Sequence, residues 1–254
     1  MAPACPWHPT LPYFHFCDNS QQIKKGQDGC DPLFKIRAIF DHIRKVCQSV
    51  EPTEHQSVDE MMIPFKGRLS FKQYMPKKPT KWGIKVFCRC SITGIVHDMI
   101  VYCGSDTAKF LGNPENSNSS VENIVIELVK SLPKTANLKL YFDNYFTTLK
   151  LMLLLHEKFQ IHATGTIRTN RLKKCPLESE ANLRSQGRGS TDAVVDLNSN
   201  ITVVRWLDNS IVTLASTYAS IEPTTTVRRW SRKEKKTVSV SCPFIVSELS
   251  LIHI

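Results

Sequence analysis

Two aspartates in this chain stand where carboxylates can do chemistry. Asp143 lies in the stretch Leu138-Lys139-Leu140-Tyr141-Phe142-Asp143-Asn144-Tyr145-Phe146, whose alternation and β-forming residues predict a strand. Leu138, Leu140 and Phe142 would share one face, leaving Asp143 on the opposite face at the end. The following residues, Thr147 to Leu155, predict an apolar, capped helix. A carboxylate at the carboxyl end of a buried strand, just before a helix, is a common place for a catalytic or metal-binding acid in α/β enzymes. The same position suits a cap, for which Asp143 and Thr147 both qualify, and this stretch alone leaves both readings open. The second aspartate, Asp59, sits beside Glu60 in a predicted strand, Gln56–Pro64. Alternation puts Val58, Glu60 and Met62 on one side, and Asp59 with Met61 and Ile63 on the other. An acid sharing its face with two large apolar side chains is not the usual solvated one.

Basic residues interleaved with aromatics supply a second kind of chemistry. Lys66, Arg68, Lys72, Lys77, Lys78, Lys81 and Lys85 are interspersed with Phe65, Phe71, Tyr74 and Trp82. Cations for phosphates and rings for stacking are what a nucleic-acid groove needs. A solvated basic loop with apolar stems is the alternative. Arg168, Arg171, Lys173, Lys174, Arg184 and Arg188 form a second basic run, with few apolar residues, and a third surrounds Trp230 between Thr224 and Thr237. The formal net charge of +10 over 254 residues favours a polyanionic partner. Hydrophobic content of 41% and charged content of 22% belong to a globular chain, not a disordered one. No apolar run approaches the ~18 residues of a membrane span. Met1 to Pro9 has neither a basic head nor an apolar stretch, so neither membrane insertion nor secretion is expected. Nine cysteines, without a CxxC or a Cys/His cluster, predict reduced thiols and no zinc. Cys88 and Cys90 share a strand face as a half-buried pair, and a cytosolic or nuclear compartment follows.

The elements that must position these groups can be read in order. Residues 1–30 are rich in proline and polar residues and predict little order. Leu33 to Val46 has the spacing of an amphipathic helix that would pack on a sheet. Trp82–Ile92 and Ile95–Tyr102 predict a hairpin about Thr93-Gly94. After a polar loop containing Gly112-Asn113-Pro114, Ser119 or Ser120 would cap a helix over Val121–Leu132. A strand at Ile161–Ile167 follows the Asp143 helix. Ala193–Leu197, Ile201–Leu207 and Ile211–Ser216 read as short strands of a small β insertion. Strand, hairpin, helix, strand, helix, strand suits a mixed α/β sheet of ribonuclease-H-like layout.

Longer motifs carry a family likeness. Ser57-Val58-Asp59-Glu60-Met61-Met62-Ile63-Pro64-Phe65-Lys66-Gly67-Arg68, then Tyr74-Met75-Pro76-Lys77-Lys78-Pro79 and Lys81-Trp82-Gly83-Ile84-Lys85, resemble the catalytic domain of piggyBac transposases and their domesticated derivatives. Tyr141-Phe142-Asp143-Asn144-Tyr145-Phe146-Thr147 resembles the second acidic block. Thr164-Gly165-Thr166-Ile167-Arg168-Thr169-Asn170-Arg171 resembles the strand and turn after it. The likeness spans Phe14 to Glu248.

It implies a ribonuclease-H-like mixed sheet with a β insertion, and a three-aspartate metal site that cuts and rejoins DNA at TTAA. Asp59 and Asp143 match the first two ligands. Such sites hold two divalent cations about 4 Å apart, which activate the attacking oxygen and stabilise the leaving one; Mg²⁺ suits hard carboxylates. The third aspartate belongs to a Gly-Gly-Val-Asp block that would fall past Ile254. Glu248 comes several residues too early, and Asp192, Asp196 and Asp208 fall in the insertion. The resemblance therefore implies a core truncated at both ends: 1–30 poorly ordered, 31–170 the core, 171–237 the insertion, 238–254 an incomplete return. The expectation is a nuclear or cytosolic protein that binds DNA weakly and without sequence preference through Lys66–Lys85 and the Arg168–Lys174 run. An incomplete Mg²⁺ site would leave it without strand transfer, and homodimerisation stays open. An active nuclease with a third ligand from elsewhere, or a remnant without function, are the alternatives.

Overall fold

The computed structural model describes residues 16–24, 26, 27, 29–104, 107, 121–133, 137–172, 175–232 and 234–251. The loop at Gly112-Asn113-Pro114, the Ser119/Ser120 cap, Lys173, Lys174 and the terminal 252–254 lie outside the described residues. Two compact units divide the chain between Val50 and Glu51. In the first unit Asp31 accepts the Leu33 N–H (2.8 Å) and binds the Arg37 guanidinium through both oxygens (2.8 Å each). Helix α1 (Arg37–Ser49) follows, and none of its residues is buried. A lone helix has no second apolar layer within its own unit, so Ile43 and Val46 stay exposed.

The second unit is built on a nine-stranded mixed sheet. Central strand β1 (His55–Pro64) runs antiparallel to β3 (Trp82–Ser91) and parallel to β5 (Lys139–Phe142). On its other edge β3 pairs with the short β2 (Gln73–Tyr74) and with its hairpin partner β4 (Val96–Val101). Beyond β5 come the parallel β6 (His162–Thr166) and then antiparallel β9 (Ile211–Ser216), β8 (Ile201–Leu207) and β7 (Thr191–Asp196). The three strands expected as a small β insertion on the main sheet extend that sheet, β9 returning directly onto β6. Helices α2 (Val121–Val129), α3 (Leu149–Phe159), α4 (Glu180–Gln186) and α5 (Phe244–Ser250) complete the unit with a separate ribbon, β10 (Thr225–Ser231) and β11 (Lys236–Cys242). Sequence periodicity missed α4 and the ribbon. The ribbon's apolar residues are too few to stand out, and the expected 237/238 boundary cuts through β11.

Strand alternation sends side chains to two different cores. On one face Val58, Phe87, Leu140, Phe142, Ala163 and Val203 pack against α2 and α3 through Val125, Leu128, Met152 and Leu155. On the other, Val204, Trp206 and Leu214 pack against Val240, Cys242, Ile245 and Val246 of β11 and α5. The largest fully buried side chain of the first core is a cation. Arg89 donates to the Leu128 carbonyl (2.8 Å), Gln56 Oε1 (2.8 Å) and Ser131 Oγ (3.0 Å), so it ties the end of α2 to the sheet. Burial pulls its pKa down to about 10, and nearby Asp98 opposes the shift.

Candidate functional site

The β1–β5 ladder brings the two predicted acids together. Its last pair is Val58↔Phe142, so Asp59 and Asp143 are the next residues on neighbouring parallel strands. Both fall on the face opposite Val58 and Phe142, at the carboxyl ends where open α/β sheets place their ligands. Both are exposed. Asp59 accepts the N–H of Glu60 (2.7 Å). Met61 and Ile63 on the same face are 39% and 43% exposed, so no apolar wall encloses Asp59.

Asp143 is held by a turn rather than by the helix. The strand stops at Phe142, one residue short of the expected end at Asp143, because the Asp143 carbonyl accepts the N–H groups of Phe146 and Thr147 (3.2 Å each) and the Thr147 hydroxyl (2.8 Å). One carboxylate oxygen accepts the Tyr145 N–H (2.8 Å). Helix α3 is instead capped by Thr148, whose hydroxyl accepts the Leu151 N–H (3.1 Å) and donates to Glu122 (2.6 Å). Neither cap candidate from the sequence does that work. Gly165 on β6 lets the turn approach: a Cβ there would meet the Phe142 carbonyl and Thr147 Oγ1 at 2.5 Å each.

The basic residues separate into exposed and committed groups. Lys66, Arg68, Lys77 and Lys81 are exposed. Lys72 donates to the Gly67 carbonyl (3.0 Å) and lies 5.4 Å from the ring of Trp82, which packs on Tyr74 with centroids 4.7 Å apart. Trp82 and Tyr74 are both more than half exposed, forming a basic and aromatic surface along the β2 edge. Lys78 is turned to Glu60, donating to its carbonyl (3.0 Å) and pairing with Oε1 (3.4 Å). Lys85 departs from the expected groove altogether. It is buried among Phe87, Tyr145 and Tyr102, 4.5 to 6.0 Å from their centroids, because strand alternation points it with Phe87 and Arg89 toward the first core. Burial lowers its pKa, and Glu60 opposes the shift. Glu60 moves up, chiefly through burial and then repulsion from Asp59, with Lys78 and Lys85 opposing. The adjacent acids in Asp59-Glu60 were the visible sign of this cluster.

Arg171 belongs to the site's framework. Its guanidinium donates to the carbonyls of Asn144 (2.9 Å), Tyr145 (3.2 Å) and Thr147 (2.6 Å), while Arg168 reaches Asn144 Oδ1 (3.0 Å). Both brace the turn that presents Asp143, and Arg168 remains exposed.

The other acids are spent elsewhere. Glu248 is buried on α5, where it accepts the hydroxyls of Tyr218 (2.6 Å) and Tyr141 (3.1 Å) and lies 3.9 Å from Lys139 Nζ. Asp208 is bound by Arg188 (2.5 Å) and Arg229 (3.0 Å). Asp192 accepts the Glu178 N–H (2.6 Å), and Asp196 accepts Asn198 N–H and the Ser199 hydroxyl. Among the described residues no three His, Cys, Asp or Glu side chains converge as a metal centre. The donor set of Asp59 and Asp143 fits one hard cation that keeps most of its water, and does not by itself fit a two-metal centre.

The mixed sheet with its flanking helices has the ribonuclease-H-like fold of a transposase core. The family model described as transposase IS4 matches residues 11–249, and the chain belongs to the piggyBac transposase family. Human piggyBac transposable element-derived protein 3 is 31% identical over 236 residues, covering 91% of this chain and 38% of that protein. Human piggyBac transposable element-derived protein 2 is 31% identical over 237 residues, covering 92% and 38%. The chain thus spans about two fifths of these relatives. A cryo-EM structure of a piggyBac transposase synaptic complex with hairpin DNA superposes with a TM-score of 0.73 at 24% identity, over 97% of this chain and 47% of that one.

Proposed function

We propose that this 254-residue chain is a domesticated or degenerate transposase derivative that binds DNA without sequence preference and does not by itself carry out strand transfer. The observation that carries the reading is the pairing of an intact but two-carboxylate acid site with exposed Lys66, Arg68, Lys77 and Lys81 beside Tyr74 and Trp82. The lysines and arginines hold phosphates, and the rings offer stacking surface. Asp59 and Asp143 would hold Mg²⁺, whose chemistry when bound is to activate an attacking oxygen and neutralise charge on phosphate. With Glu248 and Asp208 committed to buried or paired partners, no third carboxylate joins that site among the described residues. A nuclear location and weak affinity accompany this reading.

Fluorescence anisotropy with a labelled duplex tests it. Affinity falls steeply with salt, by about 0.9 logarithmic unit per neutralised phosphate for each decade. Changing Lys66, Arg68, Lys77 and Lys81 together to Gln removes most of the binding. Salt-indifferent binding, or no binding at low ionic strength, sinks the proposal. The side-by-side aspartates favour a second reading, an active nuclease or transposase whose third ligand comes from a partner chain. Mg²⁺-dependent nicking that disappears in both Asp59→Ala and Asp143→Ala would decide for it.

A further inference from the structure

The β10–β11 ribbon has two faces of opposite character. Seven pairs run from Thr225↔Cys242 to Ser231↔Lys236. Val227, Arg229, Val238, Val240 and Cys242 point one way, and Val240 and Cys242 are buried in the second core. Two polar ties fasten this side. Arg229 pairs with Asp208 (3.0 Å), a carboxylate that Arg188 also binds, and Trp206 Nε1 donates to the Ser241 carbonyl (2.9 Å). The ribbon is therefore a fixed platform.

Its outer face has no internal purpose. Thr226, Arg228 and Trp230 stand opposite Ser241, Ser239 and Thr237, and all six are exposed. Trp230 is 58% exposed, and Arg188 donates to its carbonyl (3.2 Å), steadying the backbone beneath it. Among the described residues no hydrogen bond, ion pair or ring contact engages the side chain of Arg228 or Trp230. Thr224 to Thr237 contains six basic residues against one acid, Glu234, which Lys236 neutralises at 2.9 Å. An exposed indole amid cations and hydroxyls is poorly suited to an apolar protein interface. It has the parts that single-stranded nucleic acid needs: a stacking ring, backbone cations and small polar donors.

We infer that this outer face is a second nucleic-acid surface, taking unpaired bases on Trp230 and the adjoining phosphates on Arg228, Arg232 and Lys235. Duplex DNA keeps its base faces stacked, so the surface prefers single strands. It is separate from the Lys66–Lys81 surface and stands on its own residues.

The test uses the full chain with labelled oligothymidylate and with a duplex of the same length. Trp230→Ala weakens oligothymidylate binding roughly tenfold or more, the range expected for one stacked base, and leaves duplex binding within about twofold. Trp230→Phe restores most of the affinity. Arg228→Gln lowers the salt slope for the single strand by about 0.7. Circular-dichroism melts confirm that the variants fold. If Trp230→Ala and Arg228→Gln both leave oligothymidylate affinity unchanged, the inference is overturned and the face belongs to a protein partner. Loss of oligothymidylate binding only in the Lys66/Arg68/Lys77/Lys81 variant overturns it too, while keeping the proposed function. Wild-type binding to oligothymidylate with none to duplex supports the inference and overturns the duplex-binding proposal instead.

Discussion

Asp143 and Glu248 lie on either side of Tyr141, yet their situations are opposite. Asp143 is two residues beyond Tyr141 on the same strand face, exposed, with one oxygen on a turn N–H. Glu248 reaches Tyr141 from α5, is buried, and accepts two tyrosine hydroxyls. Tyr141 also meets His55 Nδ1 at 2.9 Å, so the Glu248 end is a closed polar network. The comparison teaches that sharing a neighbour with the paired aspartates does not make an acid part of their site. A carboxylate whose lone pairs are already filled inside the fold holds helices, while one left facing water can take a cation.

The largest test of that contrast is Glu248→Ala. Removing the acceptor shared by the Tyr218 and Tyr141 hydroxyls costs about 1–3 kcal/mol, measured by urea unfolding, while Lys139 keeps Glu54 at 3.0 Å. Glu248→Gln recovers part of it, since the amide keeps one acceptor. A neutral Glu248→Ala would break the comparison outright.

Alkaline pH sharpens it at intermediate scale. Burial, followed by the hydrogen bonds around Glu248, pushes the ionisation of Tyr218 far above its ordinary value; burial does the same for Tyr141, with Tyr218's hydrogen bond opposing. A group raised in the folded state contributes stability that is fully present below its unfolded pKa and is lost as pH rises. Stability should therefore decline as pH climbs past about 10, the ordinary tyrosine value, and Tyr218→Phe should flatten the decline in thermal melts.

Asp143→Ala is the smallest perturbation. Losing one exposed turn bond costs about 0.5–1 kcal/mol in the same unfolding experiment. The variant nevertheless removes any Mg²⁺-dependent shift in melting temperature. A loss as large as that of Glu248→Ala would make Asp143 a structural acid as well.

Much of the scaffold was legible in the sequence because the local signals agreed. The β3–β4 hairpin follows from Thr93-Gly94 between alternating strands, and β1, β5 and β6 from short β-rich runs. The motif likeness pointed to Asp59 and Asp143 by type and order. Less legible were the residues whose role depends on what lies across from them. Lys85 reads as one more cation in a basic run until pairing with β1 directs it inward. Arg171 reads as a phosphate ligand until its guanidinium is seen on three carbonyls of the Asp143 turn. Arg89 and Glu248 give no sign of burial, since their partners are 33 to 107 residues away in the chain.

By itself the sequence determined the strand and helix segments of the sheet's centre, the identity of the two aspartates and the surplus of positive charge. These depend on periodicity, residue type and count, which are local or additive. Tertiary structure alone decided which charges remain free. Parallel register set Asp59 beside Asp143, while burial and long-range hydrogen bonds consumed Glu248, Asp208, Lys85 and Arg171. Whether a charged group faces water or a partner depends on contacts between distant segments, and only folding brings those segments together.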